Sequence, residues 1–437
     1  MSPQRPLHQR FAVALAGVLL LLPALALADT TPQTSFKFQF APAPTADGYI
    51  QVAPTDVYSK DRGWGFEPGP NIQAVSRGGT DPLTSGFVTS DKPFYFSVAL
   101  PEGNYQVKLT LGDPDGESTT TVKAELRRLM LHGVHTDRGR FATPTIIVNI
   151  RTPQISTGGQ VKLKGRETTT EAWAWDEKMT LEFNDTHPCL TAMEISPANV
   201  PTLFILGDST VCDQPLEPWN SWGQMLTVFF KPEIAVANHA ESGESLRSSL
   251  GARRLDKVIS LMKPGDYLMI QYGHNDQKER GPGVGAFTTY TADLEHFVDA
   301  ARAVGGTPIV ITSMNRKNFD ADGKVVNTLG DYPEAVRRVA KAKNVPLIDL
   351  NAMSKTFYEA LGPANIGPVF MDGTHQRAYG SYELARCIVQ GIKDDKLDLA
   401  KYLVDDLPDF DPAHPDPVSA INIPASPMSS TTRPLGN

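Results

Sequence analysis

The chain has 437 residues, a formal net charge of −8 and 41% hydrophobic residues. This length is enough for two folded domains. The acidic balance argues against a surface that binds nucleic acid. No segment after the N-terminus is apolar enough to cross a bilayer, so we expect neither nucleic acid nor a membrane among the partners.

The N-terminus, residues 1–28, has the features of a cleavable signal peptide. Arg5 and Arg10 precede an apolar stretch over 11–22, and Ala26-Leu27-Ala28 supplies a cleavage site of small residues. A membrane anchor is the alternative, but the apolar stretch is shorter than the ~20 residues that a span requires. We therefore expect a secreted or periplasmic protein.

Residues 29–197 have the pattern of an all-β domain. Short segments rich in β-branched and aromatic residues alternate with turns such as Pro101-Glu102-Gly103-Asn104. Short, evenly spaced strands of this kind predict a β-sandwich or barrel. The predicted strands are Ser35–Phe40, Tyr49–Val52, Phe94–Leu100, Tyr105–Leu111, Thr119–Leu126, Thr145–Ile150, Gln160–Leu163 and Met179–Phe183.

Residues 198–407 alternate between apolar strands and longer helical patterns, which predicts an α/β domain with a parallel sheet. The predicted strands are Thr202–Gly207, Ile234–His239, Tyr267–Gly273, Pro308–Met314 and Val345–Leu350. The predicted helices are Ser245–Leu261, Tyr290–Val304, Pro333–Lys343, Met353–Leu361 and Tyr379–Asp394. Residues 408–437 are rich in Pro, Ser and Thr and are predicted to form a disordered tail.

Three polar segments follow predicted strands of this α/β domain. They contain Ser209, Gly243 and Asn275. Ligands of parallel sheets bind beyond the carboxyl ends of the strands, so we expect these segments to form one site. Ser209 is the candidate nucleophile, although a serine here also fits a helix cap. Gly243, Asn275 and the Ser209 N–H are candidate donors to an oxyanion, although turn residues fit the same positions.

The candidate base is His375, and Asp372 lies three residues before it. A carboxylate at this spacing can hold one ring nitrogen of the histidine and stabilise the imidazolium that forms when a serine loses its proton. A surface Asp–His pair is the alternative. For Asp208 the favoured interpretation is a turn residue that bonds the local backbone, whereas the role of His274 stays open.

Together, Gly207-Asp208-Ser209, Gly243, Gly273-His274-Asn275-Asp276 and the Asp372-x-x-His375 pair resemble the SGNH (GDSL-like) hydrolase superfamily. Within it, the chain looks most like the rhamnogalacturonan acetylesterases of carbohydrate esterase family 12. The resemblance implies a three-layer α/β/α flavodoxin-like fold and ester hydrolysis without a catalytic metal. It assigns Ser209, Asp372 and His375 as catalytic residues and Ser209, Gly243 and Asn275 as the oxyanion hole.

The resemblance also implies the substrate, an acetylated plant cell-wall polysaccharide such as pectic rhamnogalacturonan. Glu241 and Glu244 depart from the smaller or basic residues expected beside Gly243, which bears on substrate detail. Two alternatives stay open. One is another SGNH enzyme, namely a lipase, a thioesterase or a xylan-type deacetylase, and the other is a non-catalytic glycan-binding protein.

The N-terminal region resembles the galactose-binding-like sandwiches of carbohydrate-active enzymes. Its aromatic residues either stack on sugars or fill the core and the domain interface; they are Trp64, Phe66, Trp173 and Trp175. Such modules often hold a structural calcium, for which the sequence indicates no particular ligands. The three cysteines, Cys189, Cys212 and Cys387, fit either one disulfide and a thiol or three buried thiols.

Overall fold

The computed structural model describes residues 1–4, 32–430, 432 and 434. Apart from residues 1–4, the predicted signal peptide lies outside these described residues. Among them, no helix combines the length and the hydrophobicity that crossing a bilayer requires.

The N-terminal region consists of two packed, mainly antiparallel sheets, here called the β region. Its strands are β1 (Phe36–Gln39), β2 (Ile50–Gln51), β3 (Trp64–Phe66), β4 (Gln73–Ser76), β5 (Gly86–Thr89), β6 (Phe94–Ala99), β7 (Gly103–Leu111), β8 (Ser118–Ala124), β9 (Arg128–Thr136), β10 (Thr145–Ile150), β11 (Lys178–Asn184) and β12 (Leu190–Pro197). One sheet has the order β10-β7-β12-β1-β2, with β5 and β4 added beside β12, and the other has the order β3-β6-β11-β8-β9.

Strand β7 shows how the sequence forms this sandwich. Tyr105, Val107, Leu109 and Leu111 alternate with more exposed residues, and all four are buried in one apolar cluster. Side chains of a strand point to opposite faces in turn, so this alternation places one face of the sheet in the core. Residues of both sheets share that cluster, which confirms the predicted sandwich.

The second region is a five-stranded parallel sheet with helices, here called the α/β region. Its strands are β13 (Thr202–Gly207), β14 (Ala235–Asn238), β15 (Tyr267–Gln271), β16 (Thr307–Ile311) and β17 (Leu347–Ile348), in the order β14-β13-β15-β16-β17. Its helices are α1 (Trp222–Met225), α2 (Leu246–Gly251), α3 (Arg254–Leu261), α4 (Thr291–Ala303), α5 (Tyr332–Lys343), α6 (Leu350–Asn365) and α7 (Ala378–Asp394).

Strand β13 is buried along its whole length, as expected for a central parallel strand covered on both faces. Its neighbours are β14 and β15, both parallel to it. The predicted α/β class with a parallel sheet is therefore confirmed. The division of the chain at residue 197 stays a prediction, because both regions belong to one compact unit that begins at Gln33.

Two local predictions are wrong. The single helix expected over Ser245–Leu261 is two helices, because Arg253 adopts a left-handed conformation with φ of 63° between α2 and α3. The strand expected over Gln160–Leu163 is a loop whose Lys162 N–H donates to the carbonyl of Ala252 in the α/β region. Gln160 makes only an isolated bridge with Gln154, and the Lys162 bond connects the loop to the second region.

The predicted disordered tail is also corrected for residues 408–430. This segment returns to the β region, where the buried Ser426 hydroxyl lies 2.7 Å from Glu182 Oε2 and accepts a hydrogen bond of 2.8 Å from Lys123 Nζ. Asn184 also donates to the Ala425 carbonyl at 3.0 Å. Composition predicts disorder from scarce apolar residues, whereas this segment is held by hydrogen bonds to buried charged groups.

The four aromatic residues pack in or against the protein interior, and the cysteines are not paired. Phe66 is 1% exposed in the sandwich core, and Trp175 packs beneath the guanidinium of Arg151 where the two regions meet. Trp64 and Trp173 are half-buried, with Arg62 and Lys178 against their rings. The three cysteines are buried free thiols.

Glu125 in the turn between β8 and β9 predicts a dependence of stability on pH. Burial raises the pKa of Glu125 to about 8, whereas an unfolded glutamate titrates near 4.3. Between these values the native state holds a proton that the unfolded state lacks, so the free energy of unfolding decreases as pH rises. Glu125→Gln keeps an acceptor for the Thr180 N–H, and we expect it to raise the melting temperature more at pH 8 than at pH 5.

The control for this prediction is Glu233→Gln, at an exposed position. Melting temperatures of the wild type and both variants at pH 5 and pH 8 test it. Equal gains for Glu125→Gln at the two pH values would contradict the assignment.

Candidate active site

The three polar segments predicted to meet do so at the carboxyl end of the parallel sheet. Ser209 lies two residues after β13, Gly243 lies in the loop after β14, and Asn275 lies four residues after β15. These three strands are adjacent in the sheet. The topology of the sheet thus joins segments that are far apart in the sequence, as parallel strand ends should.

His375 joins this cluster from the loop before α7. Its Nε2 lies 2.8 Å from Ser209 Oγ, and its Nδ1 lies 2.9 Å from Asp372 Oδ2. A carboxylate only accepts, so Nδ1 carries the proton and the lone pair of Nε2 faces the serine hydroxyl. This is the arrangement in which a histidine can take a proton from a serine.

The Asp372 carboxylate is fixed by its own turn. Its Oδ1 accepts the backbone N–H groups of Thr374 and His375, each at 2.7 Å. Burial acts to raise the pKa of Asp372, but these bonds and the His375 ring hold it well below its usual range. The carboxylate therefore stays ionised and orients the imidazole across the neutral pH range.

Asn275 is linked to the loop that contains Gly243. Gly243 has φ of 79°, a conformation that residues with a side chain rarely adopt. Asn275 Nδ2 donates to the carbonyl of Glu244, the residue after Gly243, at 2.9 Å. This bond uses one of the two N–H groups of the amide. Asn275 thus lies against the residue that follows Gly243, and their role as oxyanion donors stays a prediction.

We expect Asn275→Ala to lower kcat by about 10²–10³-fold with little change in KM, because a donor to a developing oxyanion acts mainly in the transition state. The measurement is steady-state hydrolysis of p-nitrophenyl acetate. Asn315→Ala is the matched control, since Asn315 is a buried asparagine beyond the next strand and bonds the Asn351 carbonyl. Equal losses of kcat in both variants would show that the effect is structural.

Asp208 and His274 form a buried pair beneath these residues. The nitrogen Nδ1 of His274 lies 3.2 Å from Asp208 Oδ2, and Nε2 lies 3.1 Å from the Met314 carbonyl. Asp208 also accepts the Thr210 N–H, as the turn interpretation predicts. Burial acts against the charge of Asp208, but His274 and Thr210 keep its pKa below the usual range. His274 therefore connects the carboxyl ends of β13, β15 and β16 beneath the site.

Two contacts were not predicted from the sequence. The Trp219 ring meets the His375 ring edge-on, with centroids 5.7 Å apart. Gln214 Nε2 donates to the Ser209 carbonyl at 2.7 Å. Neither residue is part of a sequence motif that would indicate a role. Only the folded structure shows that Gln214 contacts Ser209 and that Trp219 contacts His375.

A cleft of about 330 Å³ adjoins these supporting residues. Gln214, Trp219 and Ser242 of the α/β region line it together with Lys164, Arg166 and Thr170 of the β region. The walls of the cleft therefore come from both regions, and residues in contact with Ser209 and His375 form part of one wall.

Glu241 and Glu244, which departed from the expected pattern, face the β region. Glu244 Oε1 lies 2.7 Å from Lys164 Nζ, and Glu241 pairs with Arg166. Both glutamates are buried. Buried charges require partners, so these residues are explained by the contact between the two regions.

No ligand set for a calcium ion emerges among the described residues of the β region. Asp113, His187 and Cys189 lie close enough together to hold an ion. However, Arg77 already donates two hydrogen bonds to Asp113, and calcium binds oxygen ligands and not thiols. The calcium therefore stays a prediction without assigned ligands.

Comparisons with known proteins agree with this architecture. Residues 205–380 match the GDSL-like lipase/acylhydrolase family, and residues 36–146 match the beta-agarase/YXIM esterase-like, galactose-binding domain-like family. Rhamnogalacturonan acetylesterase RhgT of Bacillus subtilis is 38% identical over 46% of this chain and 94% of its own length.

A longer relative aligns with both regions. YxiM of Bacillus subtilis, described as an uncharacterised esterase, is 28% identical over 82% of this chain and 90% of its own length. Its crystal structure covers 83% of this chain and 99% of that chain at 26% identity, with a TM-score of 0.44. Because residues 205–380 match this family model and RhgT is 38% identical, the chain belongs to the GDSL-like lipase/acylhydrolase family of ester hydrolases.

Proposed function

We propose that this protein is a carbohydrate O-acetylesterase that removes acetyl groups from pectic rhamnogalacturonan or a related plant polysaccharide. The observation that carries the proposal is the Ser209 hydroxyl 2.8 Å from His375 Nε2, with Asp372 on the other ring nitrogen. We assign Ser209 as nucleophile, His375 as general base and acid, and Asp372 as the group that orients the base.

In the first step, Ser209 Oγ attacks the acetyl carbonyl carbon while its proton passes to His375 Nε2. The carbonyl oxygen becomes an oxyanion, which accepts hydrogen bonds from the Gly243 and Ser209 N–H groups and the Asn275 amide. The intermediate then collapses, the bond to the sugar oxygen breaks, and His375 returns the proton to that oxygen. The deacetylated sugar leaves, and the acetyl group remains on Ser209.

In the second step, water attacks the acetyl-serine. His375 takes one proton of the water, and the same donors stabilise a second oxyanion. Collapse of this intermediate releases acetic acid and returns the proton to Ser209 Oγ. Each step uses only protein groups, and we propose that catalysis needs no metal. Treatment with EDTA should therefore leave kcat unchanged.

The substrate class is supported by RhgT, whose name is that of a rhamnogalacturonan acetylesterase. It is tested by acetate release from acetylated rhamnogalacturonan, acetylated xylan and p-nitrophenyl esters of increasing chain length, with Ser209→Ala as the blank. We expect the highest kcat/KM on acetylated rhamnogalacturonan. A preference for xylan or for long acyl chains would favour a xylan-type deacetylase or a lipase. No release from any ester would favour a glycan-binding protein.

We further propose that the protein is exported. The support is the sequence of residues 1–28, and export to the periplasm or beyond the cell is equally compatible with it. N-terminal sequencing of the exported protein tests this, and we expect the mature chain to begin at Asp29. A retained N-terminus with membrane association would contradict a cleaved signal.

A further inference from the structure

One peptide group links the β region to the proposed oxyanion hole. The carbonyl of Ser242 and the N–H of Gly243 belong to the same peptide bond. Because a trans peptide is planar, its C=O and N–H point in opposite directions. Whatever fixes the Ser242 carbonyl therefore also fixes the direction of the Gly243 N–H.

Two cations of the β region donate to this carbonyl. Lys164 Nζ lies 2.7 Å from the Ser242 oxygen, and Arg166 Nη2 lies 2.6 Å from it. Both belong to the loop between β10 and β11, almost 80 positions before Ser242 in the sequence. Hydrogen bonds from charged donors are about twice as strong as neutral ones. Two of them on one carbonyl hold the peptide firmly in a single orientation.

Carboxylates hold the two cations in turn. Lys164 lies 2.7 Å from Glu244 Oε1, and Arg166 pairs with Glu241 and, at 3.1 Å, with Glu171. Each flank of the Ser242–Gly243 peptide thus carries a glutamate that anchors one of the cations on the carbonyl. Three carboxylates surround the two cations, so this cluster is not a site for an anionic ligand.

We propose that Lys164 and Arg166 are positioning residues for ester hydrolysis: they orient and polarise the Ser242–Gly243 peptide so that its N–H donates to the oxyanion. This inference rests on the proposed function, since it concerns the same site. Cations on the carbonyl draw electron density toward the oxygen and make the N–H a stronger donor, by about 10–30% per hydrogen bond. The β region is then part of the catalytic machinery and not only an appended module.

The test is kinetic and uses the full-length protein. Lys164→Met and Arg166→Met remove the charge and keep most of the stem. We expect the double variant to lose about 100-fold in kcat on p-nitrophenyl acetate, with KM within about threefold, because the lost interaction matters in the transition state. Lys164→Arg should retain most of the activity because it keeps a charged donor.

The main competing cause of a lower kcat is a buried carboxylate left without its cation. A second variant separates this cause from the loss of the contact with the Ser242 carbonyl. Lys164→Met leaves Glu244 buried with one partner fewer, whereas Lys164→Met/Glu244→Gln removes both charges. If kcat stays low in this pair variant, the loss arises at the Ser242 carbonyl. If Glu244→Gln restores kcat, the orphaned charge was responsible and the inference is overturned.

Lys178→Met is the matched control, since it breaks a 2.7 Å ion pair with Glu67 inside the β region. It should lower the melting temperature and leave kcat unchanged. The rate at which p-nitrophenyl methylphosphonate labels Ser209 gives a second readout, because the phosphonyl oxygen occupies the oxyanion position; it should fall in parallel with kcat.

The failure of this inference is distinguishable from failure of the proposed function. An inactive wild type would contradict the function itself. An active wild type with Lys164→Met/Arg166→Met within twofold in kcat would overturn only the positioning role.

Discussion

Replacing Ser209 by alanine should lower kcat on p-nitrophenyl acetate and on acetylated rhamnogalacturonan by about 10⁶-fold, to the residual rate left by binding and the oxyanion donors. The physical reason is that the Ser209 oxygen lies 2.8 Å from His375 Nε2 and is the group that attacks the ester. The substitution removes one oxygen atom and leaves the surrounding backbone in place. We therefore expect the melting temperature to stay within a few degrees of the wild type.

The matched control is Ser249→Ala. Ser249 is also fully buried, and its hydroxyl accepts a hydrogen bond of 2.9 Å from Tyr272, but it lies in α2 away from His375. This variant should lose stability and keep kcat. Phosphonate labelling provides an independent readout: the wild type and Ser249→Ala should be labelled at Ser209, and Ser209→Ala should not. Turnover of Ser209→Ala near that of the wild type would refute the assignment of the nucleophile.

The second large effect is expected for Asp372→Asn, with a loss of about 10⁴-fold in kcat. The asparagine Oδ1 can still accept the N–H groups of Thr374 and His375. Its amide, however, would donate to His375 Nδ1 and move the ring proton to Nε2. That nitrogen would then present a proton and not a lone pair to Ser209, and the base would be in the wrong tautomer.

The chain offers a close control for Asp372→Asn. Asp411 and His414 have the same spacing, and Asp411 Oδ2 lies 2.7 Å from His414 Nδ1. Both side chains are exposed, at 61% and 84%. Asp411→Asn should leave kcat unchanged. Loss of activity in Asp411→Asn, or full activity in Asp372→Asn, would contradict the assignment of the orienting carboxylate.

The Asp411–His414 pair also shows how much of the candidate site could be predicted from the sequence alone. Spacing brings an aspartate and a histidine together in both places, because a turn of three residues suffices. Only the fold places His375 beside Ser209 and leaves His414 in solvent. The spacing alone did not identify Asp372 and His375 as the candidate pair. They were identified because they occur with Ser209, Gly243 and Asn275 in the order typical of one family.

The strand-end segments were predictable for a general physical reason. Buried parallel strands are continuous apolar runs, and the polar residues after them fall at one edge of the sheet. The role of Lys164 and Arg166 was not predictable, since their partner Ser242 is distant in sequence and belongs to another region. The same holds for the ordered segment 408–430, whose Ser426 bonds buried charges that composition does not reveal.

The ion pairs between the two regions limit how this architecture can change over generations. Recombination that replaced the β region by an unrelated domain would remove the cations of that region that pair with Glu241 and Glu244. Two buried carboxylates would then lie without these cations next to the proposed oxyanion hole. Such a chimaera would need matching changes in the loop after β14 before it could work. We therefore expect the two regions of this protein to be exchangeable only when these charged residues are changed together.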